Sequence, residues 1–233
     1  MLELKGITGV FYTMSEWIMR FSGINLLWFL ISLPFFILFV TVEMSTSAGF
    51  VFFGAAGWVF ATLLFFPATA AVFSVIRGWI VEEDFSSIIK TYFSHLRTDY
   101  KMNAKTGGIF ALVWFIWYYG YFYFYTEKNS AALLFLVIGI AMFIYTVNFL
   151  SISSHYRMSA AAKAKNAFFL SAGRPLISIF IAASSGVLLW LSVTQLLWLF
   201  PLVTCSMTAF LSFSAFYREA QKINGKTVSD DAG

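Results

Sequence analysis

The chain has 233 residues, of which 60% are hydrophobic, 21% aromatic and only 11% charged, whereas an ordinary soluble domain carries roughly 25% charged residues. One soluble core of this length cannot bury so much apolar surface, so the solvent is lipid and a soluble fold is excluded. Six spans of about 20 residues use roughly 120 positions, which leaves only short connections and makes residues 1–233 a single integral membrane domain.

The predicted elements follow in chain order. Ile7, Val10, Phe11, Met14, Trp17, Ile18 and Phe21 recur at three-and-four spacing, which predicts an amphipathic helix lying at the interface ahead of the first span. Uncharged runs then predict spans at residues 22–42 and 51–76. After them Phe85, Ile88, Ile89, Tyr92, Phe93, Leu96 and Tyr100 form one helical stripe beside Lys90, Arg97 and Lys101, with Asp84 as the N-cap. This is a second interfacial helix, and Phe85, Ile89, Tyr92, Phe93 and Leu96 are the candidates for docking a cytoplasmic partner.

The third span, residues 107–125, ends in an aromatic cluster that includes Trp117, Tyr121 and Tyr125, and the fourth covers 131–153. From Arg157 to Arg174 an alanine-rich helix carries Lys163, Lys165 and Arg174, which give it a positive surface for the inner leaflet. The uncharged run from Pro175 to Tyr217 measures about 64 Å as straight helix, twice a hydrocarbon core of about 30 Å, so it folds back. The turn falls near Gln195 and Pro201, giving spans at 175–194 and 198–217. Pro34 and Pro67 lie inside spans and predict kinks, whereas Pro175 and Pro201 suit helix starts. Ala182 and Gly186 make a small-x-x-x-small step suited to close helix packing.

Sorting the basic residues gives the orientation. With both termini in the cytoplasm, the inner segments hold Lys5 and Arg20; Arg77, Lys90, Arg97, Lys101 and Lys105; Arg157, Lys163, Lys165 and Arg174; and Arg218, Lys222 and Lys226. Only Lys128 falls outside, which is the positive-inside pattern for six spans. The fold class is therefore an all-α polytopic helix bundle of about six transmembrane helices with interfacial amphipathic helices. The same sorting removes any basic patch for nucleic acid.

No span centre carries an ionisable residue, which argues against proton coupling. His95, His155 and Cys205 are too few and too scattered for a metal or a catalytic dyad, and neither phosphate-cradling glycine motif is present. The expectation is a protein that is not an enzyme and holds no cofactor or metal. Trp117, Tyr121, Trp190 and Trp198, expected at the outer leaflet, are the candidates for stacking on a sugar. Asn148 and Gln195 are the uncharged polar candidates for a pocket or for interhelical hydrogen bonds.

Three stretches, NLLWFLISLP (Asn25 to Pro34), FPATAAVFSVIRGWI (Phe66 to Ile80) and KNAFFLSAGRPL (Lys165 to Leu176), occur in the order seen in the YesL-like family of bacterial membrane proteins of unknown function, which the chain resembles. The resemblance implies a multi-pass protein of the bacterial cytoplasmic membrane, often encoded beside carbohydrate ABC transporters, sensors and glycan-degrading enzymes. It implies no catalytic residue. The E-A-A-x-x-x-G loop of an ABC permease is not matched, since Ala161 and Ala162 lack the preceding glutamate and Gly173 lies too far on. The expected role is an accessory or regulatory component of carbohydrate uptake, in contact with the lipid bilayer and with a sugar ABC transporter or membrane sensor. The alternative is a transporter or channel for a small neutral solute such as a sugar.

Overall fold

The structure is a computed structural model that describes residues 7–43, 47–81 and 87–230. Among these residues it is helical, with no strand. Helix α1 (Ile7–Glu43) is followed by α2 (Ser47–Phe60), which passes through a wide π-type turn, Ala61–Phe65, into α3 (Phe66–Ile80). Helices α4 (Ile88–Thr98), α5 (Tyr100–Thr126), α6 (Ala131–His155) and α7 (Ala160–Gly173) come next. Helix α8 (Pro175–Trp190) ends in a wide turn, Leu191–Gln195, and another, Phe200–Thr204, opens into α9 (Cys205–Asp230). Six stretches are long and apolar enough to cross a membrane: Phe11–Thr41, Phe52–Ile80, Tyr100–Thr126, Ala131–His155, Pro175–Gln195 and Phe200–Lys222. An even number of crossings puts both ends of the bundle on one side.

Helix α1 departs from expectation. The amphipathic stretch from Ile7 to Phe21 is not a separate interfacial helix but the first part of a continuous helix of 37 residues. Nothing in it breaks a helix: the first proline is Pro34, and Glu16 and Arg20 pair one turn apart. At 1.5 Å per residue α1 is about 55 Å long, more than a perpendicular crossing of about 30 Å requires. Its start is tied inward by Trp17, whose ring meets Phe21, Trp79 and Phe210 at 5.6–6.0 Å.

Hydrocarbon offers backbone groups no partner, so each proline raises the question of which group satisfies the orphaned carbonyl. Pro67, the second residue of α3, supplies no N–H to the preceding turn. The Tyr100 hydroxyl donates to the carbonyl of Leu63, four residues before it, at 3.0 Å. One turn on, the buried Tyr92 hydroxyl donates to the carbonyl of Ala68 at 3.2 Å. Tyr92 is therefore a core strut between α4 and α3 and not a docking residue. Burial raises its phenol well above the usual tyrosine range, so it stays a donor.

The opening of α9 is held by Asn25 in the middle of α1. Its side-chain amide donates to the carbonyl of Phe200 at 2.9 Å and its oxygen accepts from the amide of Ser206 at 2.9 Å, bracketing the turn that contains Pro201. Pro175 opens α8 as expected. Gln195 sits exposed at the hairpin turn, while Asn148 donates to Ser171 Oγ at 2.9 Å and so joins α6 to α7.

Close packing falls elsewhere than expected. Gly186 is exposed, and a Cβ built there would meet nothing, so the Ala182 and Gly186 step is not a packing seam. Ser178, Ile181 and Ser185 form the buried edge of α8 instead. The tight approach is at Gly139, where a Cβ would collide with the Trp117 ring, whose Nε1 donates to the carbonyl of Phe135 at 2.7 Å. Gly139→Ala is expected to destabilise the bundle by about 1–3 kcal/mol through overpacking. Gly186→Ala is expected to be neutral or to stabilise it by up to about 1 kcal/mol through helix propensity. Unfolding in detergent followed by tryptophan fluorescence separates the two.

Candidate functional site

A cavity of about 450 Å³ lies between α1, α2, α3, α5, α6 and the hairpin of α8 and α9. Its wall is aromatic: Trp28, Phe36, Trp58, Phe65, Trp117 and Phe200 all contribute. Rings meet edge to face around it, with Phe36 at 5.3 Å from Phe200 and 5.9 Å from Phe65.

Of the hydroxyls in this wall, which also includes Thr208 and Tyr118, those of Thr69, Thr146 and Thr204 are already engaged. Thr69 donates to the carbonyl of Phe65 at 2.7 Å and accepts from Trp28 Nε1 at 2.9 Å. Thr146 donates to the carbonyl of Met142 at 2.7 Å and accepts from Trp114 Nε1 at 3.1 Å. Thr204 and Ser192 share a hydrogen bond of 2.6 Å and are anchored on the carbonyls of Leu199 and Leu188. A sugar placed there would keep ring faces to stack on but lose partners for its hydroxyls, at about 1–3 kcal/mol for each one left unmet.

The sugar-stacking candidates are not brought together. Trp117 forms part of the cavity wall, with Tyr121 stacked on it at 5.6 Å and 11°. Trp190 and Trp198 are 57% and 58% exposed on the last hairpin, away from that wall. The docking candidates also divide. Tyr92 and Leu96 face the core, Ile89 is 59% exposed, Phe93 lies at the surface, and Phe85 and Asp84 fall outside the described residues. Helix α4 begins at Ile88 after Ser87, whose side chain makes no capping bond.

At the end of the bundle that carries the termini, two charged groups are drawn inward. Glu219 is buried and pairs with Arg174 at 2.7 Å and Lys222 at 3.4 Å, tying α9 to the junction of α7 and α8. Lys163, expected on a positive surface, is 3% exposed. Its amine donates to Ser153 Oγ at 3.0 Å and lies 4.0 Å from the Met102 sulfur. Lys163 and Ala167, one turn apart, are the buried edge of α7, whose small residues let it lie close to α6. Lys165 stays outside, over the Phe169 ring at 5.9 Å.

Asn25 and Lys163 are the polar residues that sequence reasoning missed. Asn25 falls near the start of the span expected at 22–42, and its place in the middle of a helix shows only because α1 begins at Ile7, where an amide in hydrocarbon requires partners. Lys163 gave no signal beyond its four-residue spacing from Ala167. Among the described residues no three His, Cys, Asp or Glu side chains gather as a metal site.

Residues 21–121 match the family described as "Protein of unknown function, DUF624". The chain is also similar to YesL of Bacillus subtilis (strain 168), an "Uncharacterized protein", at 23% identity over 221 residues, which cover 93% of this chain and 94% of YesL. The sequence resembles YesL along nearly its whole length. YteU of the same organism, also "Uncharacterized protein", is 32% identical over 117 residues, 50% of this chain and 42% of YteU, so the match spans less than half of that relative. No solved structure matches the chain significantly. The DUF624 match begins at Phe21 and ends at Tyr121, so it takes in Asn25, Pro67, Tyr92, Tyr100 and much of the cavity wall.

Three outcomes are expected. Asn25→Ala leaves the carbonyl of Phe200 and the amide of Ser206 without their partner, and should lower unfolding stability in detergent by about 1–2 kcal/mol. Gln195→Ala, at an exposed site, should stay within about 0.5 kcal/mol. Lys163 is held below the usual lysine range mainly by burial, with Asp99 opposing the shift and Arg157 adding to it. Between the folded and unfolded values the unfolded chain binds the extra proton, so this residue makes stability rise with pH towards the ordinary lysine range and adds no slope below the folded value. Lys163→Met should flatten that alkaline slope in unfolding curves taken across neutral to alkaline pH.

Proposed function

We propose that the chain is a non-catalytic accessory or regulatory protein of the bacterial cytoplasmic membrane that works with a carbohydrate uptake system, its termini in the cytoplasm. The carbohydrate assignment rests on what the family resemblance implies, and the orientation on the basic residues gathered at the end that carries the termini. One observation carries the choice of an accessory role over transport. The polar side chains in the spans whose bonds are described above, such as Asn25, Thr69, Asn148 and Thr146, bind other helices or their own backbone. The large cavity presents rings where a sugar path would need hydrogen-bonding groups.

The surface for a partner is the exposed side of α4, where Ile89 and Phe93 stand beside Lys90 and Arg97, with Lys101 following at the start of α5. Two exposed apolar residues on a short basic helix can enter a groove of a cytoplasmic or membrane subunit. The chain purified from its own membranes in mild detergent should bring down a sugar ABC transporter or a membrane sensor. The pair Ile89→Glu and Phe93→Glu should cut that recovery at least fivefold without loss of the chain. Recovery of no such component, together with sugar uptake by proteoliposomes holding this chain alone, would support the transporter reading instead.

A further inference from the structure

We propose that the aromatic cavity holds one acyl chain of a membrane phospholipid, which enters sideways from the bilayer past Phe39 and Trp58. The first support is the chemistry of the wall. Its rings offer dispersion contacts, and the hydroxyls of Thr69, Thr146 and Thr204 are held by Trp28, Trp114, Ser192 and backbone carbonyls. These three hydroxyls ask nothing of an occupant, and the rest of the wall, Thr208 and Tyr118 apart, is almost entirely carbon, so an occupant rich in hydrogen-bonding groups is penalised.

The second support is access. Phe39 and Trp58 line the cavity and are also 41% and 37% exposed, so the wall reaches the outside of the bundle within two spanning stretches. Tyr118 meets Phe39 at 5.3 Å, and Trp58 Nε1 donates to the carbonyl of Gly108 at 3.0 Å, so both residues are fixed to α5. The molecules at this opening are the acyl chains of the surrounding lipid, present at far higher concentration than any other hydrocarbon, and mass action favours them.

The third support is the shape of the backbone. Two of the wide turns supply wall residues, Ala61 and Phe65 from one and Phe200 and Thr204 from the other. A π-type turn carries an extra residue and disturbs regular packing, and such turns recur at binding sites. At Gly57, also in the wall, a Cβ would meet no atom within 4 Å. A side chain added there grows into open space.

The test is native mass spectrometry of the chain purified from membranes and released from detergent. The unaltered chain should carry one phospholipid mass. Gly57→Leu should lower the fraction carrying it at least tenfold, and Gly186→Leu, at an exposed glycine outside the wall, should leave it unchanged. An unaltered chain without lipid, an equal adduct on Gly57→Leu, or an adduct with the mass of an isoprenoid phosphate would overturn the proposal. A measurement on the unaltered chain guards against a misfolded variant. Quenching of tryptophan fluorescence by dibromostearoyl phosphatidylcholine in micelles should saturate and be reversed by excess dioleoyl phosphatidylcholine. Quenching that rises linearly with the mole fraction in the micelle, with no saturable part, would contradict it.

Discussion

Hydrocarbon gives a backbone N–H or C=O nothing to bind, and this constraint explains most of the polar chemistry inside the bundle. Pro67 and Pro201 sit beside or within widened turns of the bundle, and the backbone beside both is met by side chains from other helices. At Pro67 the Tyr100 hydroxyl takes the carbonyl of Leu63. Around Pro201 the Asn25 amide holds one carbonyl and one amide of the widened turn. Each repair reaches from a different helix, so the same bonds that satisfy the backbone also fix α1 against α9 and α5 against the second span.

The indoles work in the same way. Trp28, Trp58, Trp114 and Trp117 each donate their N–H to another helix at 2.7–3.1 Å and line the cavity. A tryptophan in lipid needs one polar partner and a large apolar contact, and these positions give it both. The result is a scaffold whose interior is ordered by hydrogen bonds yet presents carbon to any occupant. That combination suits a lipid chain and a structural role better than a hydrophilic path.

Much of the fold was legible in the sequence because lipid imposes a length rule. Uncharged runs and the 43-residue stretch from Pro175 to Tyr217 led to the six crossings and to the hairpin at Gln195. Periodicity was a poorer guide where every face is apolar. It suggested a separate helix over Ile7 to Phe21, whereas no breaker interrupts α1, and it grouped Tyr92 with Ile89 although one faces the core and the other the surface. Small residues misled for a related reason, since spacing marks where helices can approach and not which pair does so. Gly186 is open while Gly139 is sealed by Trp117. Lys163 was read as surface charge because no local pattern reports that a neighbouring helix covers it.

Charge is sorted along the bundle, with Lys128 at one end and the described helices that carry other basic residues meeting the opposite end. The most direct measurement is labelling of single cysteines by a membrane-impermeant thiol reagent on intact cells, in a Cys205→Ser background. With Lys128→Cys between α5 and α6 and Ser159→Cys between α6 and α7, the account predicts that the first is labelled on intact cells and the second only after lysis. Labelling of Ser159→Cys on intact cells, or equal labelling of both, would contradict it.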